Sequence, residues 1–171
     1  MKKMIIPAAV LILSGCGAQG TVQQEYNDFW AFHDEYDPYE EFRLLVDQMF
    51  VDVEDEETIE STYYAIMDAF EEAYENNSSF NFESEEMETI NHYYIRSLEK
   101  FQESVMIFEN DLDLVAADAP PEELTDEFSD LTGEAAAYQA QKISAEIEYG
   151  LLDDEDVTEG MQNLIDQFMP E

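Results

Sequence analysis

His92, Arg96 and Lys100 stand at i, i+4 and i+8, so a helix through them carries an imidazole, a guanidinium and an ammonium up one face. Positive charge is rare here. The 171 residues hold 43 acidic side chains against six Lys and Arg, a formal net charge of -37. Together with Lys142, these groups could anchor an acidic ligand group or a partner's carboxylates, made selective by the surrounding negative field. The plainer alternative is ion pairing with Glu99, Glu103 and Glu146, the Lys142 stem covering apolar surface while its head reaches water. Trp30 belongs to an aromatic group of Tyr26, Phe29, Trp30, Phe32, Tyr36, Tyr39 and Phe42 that could cage a cation or stack on sugars. Such stripes are more often core. The candidate ligand or partner residues are therefore Arg96, Lys100, Lys142 and Trp30.

Metal and catalytic chemistry find less support. A helical bundle can build a di-iron site from Glu-x-x-His pairs, but Trp30 stands three residues before His33 and Thr89 three before His92. Glu88 and His92 are four apart and could share a metal; a helical surface pair is the commoner outcome. His33, beside the aromatic stripe, reads as a hydrogen-bonded core histidine. The acidic runs at 52–57 and 153–156 lack the glycine and spacing of a calcium loop, so they read as solvated charge that gathers divalent cations diffusely. There is no G-x-S-x-G, no phosphate-cradling glycine loop and one cysteine. No catalytic residue, metal ligand set or cofactor is expected, and the chain is not expected to be an enzyme. Paired carboxylates for a hydrolase could be chosen almost at will, which removes their diagnostic value. Without a basic patch, nucleic-acid binding is excluded.

The elements that must position these residues are helices. At 45% hydrophobic and 13% aromatic, the chain can bury enough surface to offset its ordering entropy despite the charge. Packing must do so without a disulfide, given the single cysteine. Apolar positions Val22, Tyr26, Phe29, Trp30 and His33 mark a helix over 22–36. Asp37-Pro38 ends it and starts another carrying Phe42, Leu45, Val46, Met49 and Val53. Ile59, Tyr63, Ile66, Met67, Phe70 and Tyr74 define a third, closed by Asn76-Asn77-Ser78-Ser79. Phe80 and Phe82 could cap that end or meet a partner.

Ser84 then caps the longest predicted helix, 84–118, about 52 Å long. Its seam is Tyr94, Leu98, Phe101, Val105, Phe108, Leu112 and Val115. Pro120-Pro121 breaks it, and a partner helix follows with Leu124, Phe128, Leu131, Ala135, Tyr138, Lys142 and Ala145. Folding back at Ala119 pairs the seams in one register, Val115 with Leu124 through Tyr94 with Ala145, and sets Lys142 beside Leu98. Gly150 ends this helix, and Asp153 with Asp156 caps a last one bearing Val157, Met161, Leu164, Ile165 and Phe168. The fold class is all-α: a helical bundle built on a long antiparallel helical hairpin, behind an N-terminal signal helix.

The beginning of the chain carries a different kind of information. Met1-Lys2-Lys3 precedes an apolar run over 4–13, too short to span a bilayer, and the run closes on Leu13-Ser14-Gly15-Cys16. This stretch closely resembles the lipobox of bacterial lipoprotein precursors. The resemblance implies a diacylglyceryl thioether on Cys16, cleavage before it, and an acidic domain held at the outer face of the cell membrane. Losing Lys2 and Lys3, while every acidic residue lies after Cys16, would take the net charge from -37 to -39. The expected organisation is a signal peptide at 1–15, the lipidated cysteine and a flexible tether at 16–24, and an acidic helical bundle domain at 25–171. The hairpin with its Ala119-Pro-Pro-Glu-Glu-Leu124 corner also loosely resembles those of small, uncharacterised helical lipoproteins of Gram-positive bacteria. The expected role is a non-catalytic adaptor for an envelope protein; the alternatives are a small-ligand or divalent-cation binder and, last, a carboxylate-dependent hydrolase.

Overall fold

Six helices make up the described part of the chain: α1 (Leu13–His33), α2 (Glu56–Asn77), α3 (Glu85–Met106), α4 (Leu112–Ala116), α5 (Glu122–Glu148) and α6 (Glu159–Phe168). The computed structural model describes residues 13–33, 56–78, 80–117, 119–153 and 156–169, with the backbone alone for 13–19, 32, 33 and 56. Among them there is no strand, and the fold is an all-α bundle. The helix expected after Asp37-Pro38, most of the acidic run at 52–57, and Tyr36, Tyr39, Phe42 and Arg43 lie outside the described residues. So do the signal residues up to 12 and the side chains of Cys16, Phe32 and His33.

α3 and α5 form an antiparallel spine. α6 packs on α5, α2 on α3 and α4, and α1 on α3. The core between them holds Phe29, Ile59, Ile66, Phe70, Met87, Ile90, Tyr94, Leu98, Val105 and Phe108, each at most 2% exposed. Full burial of such a side chain contributes about 1.5–3 kcal/mol. The sequence stripes for α2 and α3 thus face inward as their spacing requires.

Several helix ends follow from local chemistry. Ser84 caps α3, its hydroxyl accepting from the Met87 N–H at 3.4 Å, above an acidic first turn of Glu85, Glu86 and Glu88. α5 closes at Gly150, whose φ of +68° is open to glycine. There the Gly150 N–H bonds the Ile147 carbonyl and the Leu151 N–H bonds that of Glu146, satisfying two carbonyls of the last turn. The cap of α6 is Thr158, which accepts from Met161 N–H at 3.3 Å, and not the expected Asp153 with Asp156. Those two residues form a preceding turn, the Asp156 N–H bonded to the Asp153 carbonyl. Thr158 is the residue directly before the helix, and its hydroxyl reaches the amide three residues on.

The hairpin differs from expectation in two ways. Its first arm is not one helix to 118. α3 stops at Met106, about 33 Å long, where Phe108 and Glu109 bond carbonyls three residues back and Asn110-Asp111 turns the chain into α4. Phe108 and Val115 are buried all the same, because the turn re-aims the apolar stripe.

The register also shifts by about one helical turn. Arg96 lies over the Tyr138 ring, Lys100 meets Glu134, and Phe108 packs on Phe128, where the uniform pairing sets Phe101 at Tyr138 and Phe108 at Leu131. Ser97 and Ala135, both fully buried, explain the shift. Two small residues let the helices approach closely enough for the Ser97 hydroxyl to donate to the Ala135 carbonyl at 3.1 Å, and Gln139 donates back to Ser97 at 3.0 Å.

α1 also begins earlier than its stripe suggested. The helical backbone runs from Leu13, so residues 17–24, expected as a flexible tether, are helical and bring Val22 into the core. Gly17 and Gly20 each cost about 1 kcal/mol in a helix interior. The docked face from Val22 onward offsets this. α1 is held to the start of α3 by Glu25, whose carboxylate accepts from the Glu83 N–H at 2.6 Å and from the Ser84 hydroxyl. A carboxylate from one helix thereby completes the N-terminus of another.

Candidate functional site

The basic residues singled out from the sequence divide between surface and interior. On the surface, Arg96 pairs with Glu99 and lies 5.5 Å from the Tyr138 ring centre. Lys100 bridges Glu103 at 2.7 Å and Glu134 at 3.1 Å, and these bonds raise its pKa above that of an ordinary lysine. His92 is exposed beside the Tyr93 ring. Lys142 behaves otherwise. It is 5% exposed, its ammonium 2.9 Å from the carboxylate of Glu146, itself 2% exposed, and 4.5 Å from the centre of the Trp30 ring. The expectation that its head reaches water is therefore corrected: Glu146, one turn on, and the face of Trp30 take the place of solvent.

This interior cluster draws on two helices. α1 supplies Tyr26 and Trp30, one turn apart with their rings edge to face at 6.1 Å; α5 supplies Lys142 and Glu146 at the same spacing. The Tyr26 hydroxyl is pushed well above the usual tyrosine range, first by burial and then by the charge of Glu146, to which it donates. The cluster accordingly holds a fixed charge pair, a neutral phenol and an indole face. It brings together two of the four candidate residues, Trp30 and Lys142. Arg96 and Lys100 belong to a separate surface strip. Arg96, Lys100 and Lys142, the described Lys and Arg residues, are each held by an acid of the chain itself.

A cavity of about 430 Å³ opens beside the start of α3. Phe80, Asn81 and Phe82 from the loop before the helix form one wall, and Glu88, Asn91, His92 and Ile95 form the other. Phe80 and Phe82 stack at 5.7 Å and 5°, and each meets the buried Phe29 edge-on at 5.8 Å. They cap that end of the bundle. The Asn91 side-chain oxygen is buried and has no hydrogen-bond partner among the described residues. Glu88 and His92 both line the cavity, yet no group of three His, Cys, Asp or Glu side chains placed to hold a metal ion occurs among the described residues. No described helix is long and apolar enough to cross a membrane.

Sequence reasoning identified Glu146 only as an ion-pair partner. Its spacing of four from Lys142, on the face that carries the seam, was the available sign that the pair could go inside. Asn91 left no such sign, because a single amide among helix formers reads as surface. Comparison of the chain with protein-family models, with curated proteins and with solved structures finds no match.

Proposed function

We propose that this chain is a lipid-anchored, non-catalytic helical protein on the outer side of the cell membrane, presenting a face of its bundle to another envelope protein. The observation that carries this reading is the order of its first 16 residues: two lysines, an apolar run, then Leu13-Ser14-Gly15-Cys16. The bundle's composition supports it. A domain whose described basic residues are all engaged internally, under a net charge of -37, has little electrostatic attraction for an anionic membrane surface and depends on acyl chains for attachment. One chain holds only weakly, and the two of a diacylglyceryl group hold stably.

The test is expression of the full chain in bacteria fed labelled palmitate. Label should appear on the wild type in the membrane fraction, with Cys16 as the first residue, and should be absent from Cys16→Ser. A soluble wild-type protein that begins at Met1 with a free thiol would overturn the proposal. Cross-linking in intact cells then identifies the envelope partner.

A further inference from the structure

We propose that the cavity between Phe80, Phe82 and the first turns of α3 is a binding site for a small organic cation: an ammonium or guanidinium carried on a planar apolar group. The walls decide the class. Glu88 brings a carboxylate, and Asn81, Asn91 and His92 are further polar residues of the lining, while no lysine or arginine lines the space. A ligand that satisfies Glu88 must donate hydrogen bonds and bring positive charge.

The remaining lining is apolar. Phe80, Phe82 and Ile95 give a surface on which a planar group can lie, and the ring faces attract a cation within about 6 Å of their centres. The volume falls within the range of small-molecule pockets, about 300–1,000 Å³. A bare divalent metal fits less well, since Glu88 and His92 supply two of the four or more donors such ions take. The field of the whole chain raises the local concentration of any cation near the mouth. The site is independent of the proposed lipid anchor and stands or falls separately.

Three probes of similar size separate charge from shape: phenethylammonium, phenethyl alcohol and phenylacetate, titrated calorimetrically into the purified full chain at physiological salt, where diffuse ion binding is screened. Phenethylammonium should bind saturably at one site per chain and the other two should not. Glu88→Gln should weaken it by about tenfold or more, the scale of one charge-assisted hydrogen bond. Glu127→Gln, which removes the same charge from an exposed position on α5 outside the cavity, should leave it unchanged. The melting temperature of Glu88→Gln should match that of the wild type, since Glu88 is exposed; that separates loss of the site from loss of the fold. No saturable ammonium binding, equal binding of the three probes, or equal losses in Glu88→Gln and Glu127→Gln would each overturn the proposal.

Discussion

Lys142 and Glu146 lie side by side with almost no water, and an ion pair in that setting has an asymmetric effect on stability. The mutual attraction roughly offsets the desolvation of the two groups, so the pair adds little by itself. Removing one partner is another matter, because the other is then stranded. Glu146→Leu leaves an ammonium under Trp30, and Lys142→Met leaves a carboxylate beside the Tyr26 hydroxyl. Each should cost about 3–5 kcal/mol in urea unfolding, whereas Lys142→Met with Glu146→Leu together should return most of it. Additive losses in the double variant would show that the two groups do not act as a pair. The individual residues of this cluster were legible in the sequence, Trp30 as an aromatic candidate and Lys142 as a seam position. Their meeting was not. It depends on how α1 docks on α3, which brings its side chains to those of α5, and side-chain spacing within one helix carries no information about that.

At the scale of elements, the polar part of the joint between α1 and α3 gathers on the Glu25 carboxylate, which accepts from the Glu83 N–H and the Ser84 hydroxyl. Ser84 caps α3 through Met87 and at the same time donates to Glu25, so the cap and the docking of α1 share an atom. Ser84→Ala should cost about 1 kcal/mol as an ordinary cap. Because Glu25 also loses its hydroxyl partner in that variant, Glu25→Gln made on top of it should cost less than Glu25→Gln made in the wild type, by a denaturant double-mutant cycle. Equal costs in the two backgrounds would mean that Glu25 acts through Glu83 alone. Four helix ends could be read from the chain, since Ser84, Gly150, the prolines at 120 and 121, and Asn77 act locally. The break at 107–110 could not, because the apolar stripe of Phe108, Leu112 and Val115 keeps helical period straight across it. Register was equally hidden: a seam of regular spacing admits slips of a turn, and the small pair Ser97 and Ala135 selects one of them.

At the scale of the whole molecule, the formal charge of -37 sets conditions rather than shape. Self-repulsion opposes the compact state and is screened within about 8 Å at physiological ionic strength. The melting temperature should therefore climb as sodium chloride is raised from low values. At matched ionic strength, magnesium and calcium should give the same additional shift, as expected of a diffuse ion cloud; a saturable shift for calcium alone would instead indicate a defined cage among the acids. The helical course of α1 adds a geometric consequence. The buried Val22 lies only six positions after Cys16, a helical rise of about 9 Å. Fatty chains placed on that sulfur would join the bundle through a strut and not a leash, fixing its height and restricting its swivel above the leaflet. A neighbour would then have to meet it from a preset side, with the glycines at 17 and 20 as the places where the strut could bend.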